Sequence, residues 1–347
     1  MFRTLQSLRG LFAIAIFMHH FCGFTAGGDL GVSFFMILSG FVLCKGFEDR
    51  FMHATVTYSG FISGRLSKIY PLHVLCLAAA IAVQWPVLTS ADILPEISNL
   101  LLLQAWIPDS AYYFSGNSVS WFLSALLPCY LLFPALAGVP ARIGMRGMVS
   151  GLCALLAVYF LAVQLVPDDM TRSLIYVFPP MRLVDFLLGM FLWQLWLRAR
   201  GSHAVSTLCA QSYVLRTIVE AAAIGIFSGA ILLYSLIPAQ YASAALWWGP
   251  SMLLIIIFTA LDRRGGLLTR LLQLHPLVCF GNVSFSFYMI HVLGGEYLRV
   301  LFEKFGFAIS HTAFVWILLA LTAGGAFLIN RLFEKPAADL WRRYFCR

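Results

Sequence analysis

Arg9 and His20 stand eleven residues apart in the stretch RGLFAIAIFMHH. Each helical residue turns the chain by about 100° and climbs about 1.5 Å. Eleven residues therefore bring the second side chain to within about 20° of the first, roughly 16 Å farther along the axis. His19 points about 80° away, so His20 is the histidine that shares a face with Arg9. Both residues sit in apolar sequence, where an ionisable group at membrane depth costs about 2.5–3.5 kcal/mol and defaults to a functional candidate. A guanidinium can hold phosphate or polarise a carbonyl. An imidazole can take a proton from a hydroxyl near neutral pH. A cation low on a helix and a base high on the same face suit a long anionic molecule threaded from one side of a membrane. Read singly, Arg9 is equally an anchoring charge and His20 a helix-packing donor; His19 is expected to pack beside the site or tune it.

Other polar residues interrupt apolar sequence. Arg182 and Asp185, three apart, can face each other on one helix, as a structural ion pair or as a substrate contact. His291 follows Ser284, Ser286 and Tyr288, a spacing that is not one helical face. It reads as a substrate contact or as a hydrogen bond bracing two helices. Asn117, Trp121 and Trp106 fall toward the outer side, where aromatic rings can stack on a sugar or simply mark the interface. Glu334 and Pro336 are expected to end the last helix, and His73 and His275 to lie near the cytoplasmic edge without a role. The eight cysteines are scattered with no CxxC pair, so neither a metal site nor a disulfide framework is expected.

The elements that must position these residues are membrane helices. Hydrophobic residues make up 61% of the 347, charged residues only 11%, and mean hydropathy is +0.86. Soluble domains average about 25% charged. Apolar runs near the roughly 20 residues needed to cross a bilayer recur at 8–25, 30–47, 69–88, 119–137, 148–166, 181–198, 216–237, 243–261, 277–298 and 312–333. The fold class expected is all-α, a polytopic membrane protein of about ten transmembrane helices. With a cytoplasmic N-terminus, 19 of the 23 Lys and Arg fall inside and only Arg172, Arg182, Arg299 and Lys304 outside. That asymmetry places both termini in the cytoplasm and explains the net charge of +8 without a nucleic-acid partner. No connection is long enough to fold alone, so 1–347 is expected to be a single transmembrane domain with no separate soluble domain. The inverted halves of many secondary transporters are not evident.

Several segments, in order, resemble the acyltransferase 3 family of integral-membrane O-acyltransferases. They are LRGLFAIAIFMHHF, GDLGVSFFMILSGFVL, FISGRLSKIYPLHVL, NLLLLQAW with NSVSWFLSALLPCYLLFP, FPPMRLVDFLLGM, GNVSFSFYMIHVL and LFEKPAADLW. The resemblance runs the length of the chain. It implies a multi-pass enzyme, in a bacterial inner membrane, that takes an acyl group, usually acetyl, from cytosolic acyl-CoA. The acceptor implied is a hydroxyl on a cell-surface glycan or lipid-linked saccharide. No metal or nucleic acid takes part.

By the same resemblance His20 is the catalytic base and Arg9 binds or orients the acetyl-CoA thioester. Arg65 and Lys68 add to the phosphate site, though both also fit the positive-inside pattern. Asn117, Trp121, Arg182, Asp185 and His291 are the expected substrate-side residues, with membrane lipid around them. Ser39 and the backbone at Gly40 are candidates for holding an oxyanion. Two positions depart from the family pattern. Many members read Gly-Val-Asp where this chain has Gly31-Val32-Ser33, removing a carboxylate that could support the histidine, with Asp29 as a substitute. A glutamate common after Trp-Ser-Leu-Ser is absent where Trp121-Phe122-Leu123-Ser124-Ala125 runs into Leu126. A transporter or flippase for a polar lipid or sugar is the competing class, since buried Arg, His and Asp would also line a path.

Overall fold

A computed structural model describes residues 2–345; Cys346 and Arg347, which entered the cysteine and charge readings, lie outside the described residues. Every regular element among the described residues is helical. The main ones are α1 (Arg3–Phe21), α2 (Gly27–Met52), α3 (Tyr58–Gln84), α4 (Trp121–Ala137), α5 (Val139–Leu165), α6 (Pro179–Ala199), α7 (Tyr213–Leu233), α8 (Ala245–Ala260), α9 (His275–Asn282), α10 (Ser284–Phe305), α11 (His311–Ile329) and α12 (Lys335–Phe345). Among the described residues seven helices are long and apolar enough to cross a membrane, nine if two bent pairs each count as one span. The bends are 50° between Asp168–Val177 and α6, and 67° between α9 and α10. The remaining expected span, α1, has 19 residues but carries Arg3, Gln6, Arg9, His19 and His20 and is too polar to be counted with them. Outer helices leave Leu161, Leu165, Leu232, Trp316 and Leu328 exposed. Such a surface belongs in lipid, so the chain is a multi-pass membrane protein.

The polar helix is the one the others surround. Leu5, Leu8, Phe12 and Ile16 of α1 enter the main core, where Phe12 stacks on Phe34 of α2 with ring centres 3.7 Å apart. Ala13, Phe17 and Phe21 enter a second core built with α10 and α11. The foot of α1 is pinned by side chains. Thr4 donates through its hydroxyl to Asp262 Oδ1 at 2.7 Å and to the Phe258 carbonyl at 2.9 Å. Ser7 donates to the Leu272 carbonyl.

Small residues bring backbones together. Where α2 crosses α6, a Cβ on Gly40 would stand 2.1 Å from the Phe186 carbonyl oxygen, and one on Gly189 would stand 1.9 Å from that of Ile37. Where α1 crosses α9, a Cβ on Gly281 would stand 1.8 Å from the Gln6 carbonyl oxygen. No larger residue fits these crossings without moving a helix.

Two expectations are corrected. His73 is not at an edge: it is fully buried, and its Nε2 donates to the Asn99 carbonyl at 3.0 Å. It thereby fastens α3 to the 89–118 connection, which folds into the bundle. Asn99, Gln104 and Ser120 are buried there in one hydrogen-bonded network. Burial pushes the Glu96 carboxyl above its usual range against the opposing pull of the Gly116 N–H, 2.8 Å away. The last helix does not end at Glu334 and Pro336 either. A π-helical turn at Asn330–Glu334 widens the backbone, and Pro336 sits in the first turn of α12, where a missing N–H costs little.

Gly189→Ala is expected to destabilise by about 1–3 kcal/mol through overpacking, read as a lower Tm in detergent. Gly225→Ala, with nothing within 4 Å of its added Cβ, is expected to leave Tm unchanged.

Candidate active site

Two neighbouring cavities inside the bundle share part of their lining. The larger, about 780 Å³, is walled by α1, α2, α3, α4, the α9–α10 bend, the π turn and α12. Arg9, Arg65 and Lys68 all line it, joined by Arg342. The Arg65 guanidinium is held 4.9 Å over the Phe47 ring and 5.7 Å from that of Phe61, a geometry that fixes its plane. The acids of this cavity have other partners. Glu334 accepts from Ser286 Oγ at 2.5 Å and Asn330 Nδ2 at 3.0 Å, and Asp339 pairs with Arg342 at 2.5 Å. Among the described residues no ion pair engages Arg9, Arg65 or Lys68. The surplus of positive charge is suited to phosphate.

The smaller cavity, about 260 Å³, holds His19, His20, Trp121 and Arg172 with Tyr176 and Ser118. Ile16, Val32 and Tyr288 line both cavities and stand between them. Tyr288 is fixed there by donating to the Val119 carbonyl at 2.7 Å. The two histidines differ as their helical directions require. His19 turns back to the loop after α1, where its Nδ1 donates to the carbonyls of Thr25 at 2.9 Å and Phe24 at 3.2 Å. His20 is solvent-accessible, with its ring centre 5.1 Å from those of His19 and His291. The Trp121 ring stands 4.8 Å from that of Tyr176.

Arg172 escaped the sequence reading. It is exposed and begins the π-helical turn Arg172–Val177, which also carries Tyr176 into the same cavity. Helical periodicity of 3.6 does not predict which side chains such a turn aligns. The available signal was its place among the four basic residues outside. Both π-helical turns among the described residues border a cavity, Arg172–Val177 the smaller and Asn330–Glu334 the larger.

Several expected site residues lie elsewhere. Arg182 and Asp185 form a fully buried ion pair at 2.9 Å that touches neither cavity. Arg182 also donates to Ser33 Oγ at 3.3 Å and to the carbonyls of Ser243 at 3.0 Å and Ile175 at 3.2 Å; Asp185 accepts from Trp248 Nε1. With its bonds spent on three neighbouring segments, the pair braces the bundle. Asn117 is buried and donates to the Met289 carbonyl at 2.9 Å, turning its amide to α10 and away from the cavity. His291 is buried behind His20 and lines neither cavity. Ser39 lines the larger cavity but donates to the Phe35 carbonyl at 2.7 Å, and Gly40 faces α6. Neither stands beside His20. Asp29 accepts from the Tyr234 hydroxyl at 2.6 Å, and position 33 faces Arg182. A carboxylate at 33 would therefore join the buried pair, so Ser33 takes nothing from the histidine.

The polar groups thus divide into a cationic cavity and a histidine cavity with Ile16, Val32 and Tyr288 between them. Against the family model of the acyltransferase 3 domain, described as an acyltransferase domain, residues 2–331 match. The chain belongs to the acyltransferase 3 family. Acyltransferase MdmB of Streptomyces mycarofaciens is 27% identical over 383 residues, covering 98% of this chain and 92% of that protein. BcsY of Komagataeibacter xylinus, named as a membrane-bound transacylase, is 28% identical over 356 residues, covering 98% of this chain and 84% of its own length. No solved structure matches. The family and the membrane helices together make this chain a membrane acyltransferase.

Removing one partner of a buried ion pair costs about 3–5 kcal/mol. Arg182→Ala is expected to lower Tm sharply and to reduce monodisperse protein on size exclusion in detergent. Pairing Arg182→Met with Asp185→Leu is expected to recover much of that loss.

Proposed function

We propose that the protein transfers an acyl group, acetyl in the simplest case, from acyl-CoA to a hydroxyl of a cell-surface glycan or lipid-linked saccharide. The observation that carries this reading is that a cationic cavity and a histidine cavity share the lining residues Ile16, Val32 and Tyr288. The cationic cavity is the donor's. Arg9, Arg65 and Lys68 hold the CoA phosphates there, and the pantetheine arm passes between Ile16, Val32 and Tyr288. The thioester then lies beside His20, about 16 Å up the helix from Arg9. The smaller cavity is the acceptor's, with Trp121 and Tyr176 as walls for a saccharide ring. The basic end faces the cytosol, with both termini, and the membrane is the bacterial inner membrane.

His20 takes the proton of the acceptor hydroxyl as its oxygen attacks the thioester carbon. The new C–O bond forms, the C–S bond breaks, and the thiolate takes the proton back from His20. Arg172, across the same cavity, is the cation available to a developing oxyanion, a role that neither Ser39 nor Gly40 is placed to fill. The alternative of a transporter or flippase draws no support from the family.

The test uses purified protein in nanodiscs with acetyl-CoA labelled in its acetyl group and lipid-linked saccharide acceptors. His20→Ala is expected to lower transfer about 10²–10⁴-fold while CoA affinity stays within about twofold. Arg65→Ala with Lys68→Ala is expected to weaken CoA binding about 10²–10⁴-fold, from two charge-assisted bonds worth about 1.5–3 kcal/mol each. If wild-type protein transports a saccharide yet neither binds CoA nor transfers label, the transporter reading wins.

A further inference from the structure

We infer that His291 is a positioning residue for the base: its Nε2 accepts an N–H from His20, so that an imidazole does the orienting job often given to a carboxylate. This rests on reading His20 as the base.

The tautomer of His291 follows from its partner. Its Nδ1 lies 2.6 Å from the Tyr288 carbonyl oxygen, which can only accept, so Nδ1 carries the proton and Nε2 presents a lone pair. The residue is 1% exposed, and Nε2 has no hydrogen-bond partner. A buried acceptor of this kind needs an explanation. Aromatic rings fill most of its surroundings: Phe287 lies parallel to it with ring centres 6.3 Å apart, and Phe17 and Phe21 stand at 6.4 Å. None of them can donate. The neighbour that can is His20, with ring centres 5.1 Å apart. Two imidazoles at that separation bring facing nitrogens to about 3 Å, the length of a hydrogen bond, once the exposed His20 ring turns toward its neighbour.

No other group around His20 competes for the role. His19 has committed its Nδ1 proton to the Thr25 and Phe24 carbonyls. Arg172 is a donor only, and no acid lines this cavity among the described residues. Asp29 is bonded to Tyr234. Glu334, on the π turn, is bonded to Ser286 and Asn330 in the other cavity. With one His20 nitrogen donating to His291, the other is left unprotonated toward the acceptor. The hydroxyl proton then moves to that nitrogen and on to the leaving thiolate, while the proton between the two imidazoles stays in place. Outer partners that fix a metal-bound imidazole are worth about 10–100-fold in affinity or activity, and the same order is expected for this base.

The test compares His291→Phe and His291→Leu, which remove the acceptor, with His291→Gln, whose amide can accept from His20 and donate to Tyr288. Two quantities are read: steady-state kinetics with labelled acetyl-CoA, and the rate at which diethyl pyrocarbonate modifies His20, located by mass spectrometry. The expected result is kcat about 10–100-fold lower in the Phe and Leu variants, with KM for acetyl-CoA and Tm unchanged. His20 modification should slow several-fold in both, and Gln should restore both quantities substantially. The inference is overturned if a folded Phe or Leu variant keeps kcat and the His20 modification rate within twofold of wild type. It is overturned equally if Gln falls as far as Phe. If His20→Ala transfers label like wild type, the base assignment fails instead, and the modification rate still reports whether His20 is bonded to His291.

Discussion

A helix bearing two arginines and two histidines is packed between two apolar cores, and much of the molecule follows from that placement. Ionisable groups in hydrocarbon are costly unless they find partners or water. α1 packs between two apolar cores that take up Leu5, Leu8, Phe12, Ala13, Ile16, Phe17 and Phe21, while Leu11 and Met18 stay exposed. Its polar side chains are then left two outlets. Arg9 opens on a cavity crowded with cations, and His20 on a smaller one on the other side of Ile16, Val32 and Tyr288. The close crossings at Gly40, Gly189 and Gly281 keep neighbouring backbones near enough to form those walls.

Irregular backbone supplies what straight helices cannot. The bends of 50° and 67°, and the π-helical turns at Arg172–Val177 and Asn330–Glu334, all lie beside a cavity. Non-helical geometry at membrane depth survives where it lines water or is covered by protein. Here it brings in Arg172, Tyr176, Asn330 and Glu334, whose positions no continuous helix would have produced. Buried polar groups away from the cavities have a different duty. The Arg182–Asp185 pair and the network around Asn99 tie distant segments together, and their bonds are already taken.

This division explains which residues were legible before the structure. The helical class was plain from composition. Arg9 and His20 were placed on one face because α1 is a regular helix, for which a spacing of eleven is informative. Arg65 and Lys68 reach Arg9's cavity from α3, for which the sequence offered basic residues at the right end but no distance. Arg182 and Asp185 were correctly paired, yet pairing within a helix does not say whether the pair faces a substrate or three neighbouring segments. Asn117 was misread because the 89–118 connection folds inward, and nothing local in its sequence announces that. Arg172 was hidden by a turn whose period is not 3.6. Asp29, offered as a substitute carboxylate, is instead held by Tyr234, a partner 205 residues away that its local sequence does not announce.

The central claim is that donor and acceptor reach His20 from opposite cavities. The most direct measurement is a cryo-EM structure of the protein in nanodiscs with a non-hydrolysable thioether analogue of acetyl-CoA. The expected density has the nucleotide phosphates among Arg9, Arg65 and Lys68, the pantetheine crossing between Ile16, Val32 and Tyr288, and the acyl carbonyl within hydrogen-bond reach of the His20–Arg172 cavity. Density for the analogue with its acyl end remaining in the cationic cavity, or bound outside the bundle, would contradict it.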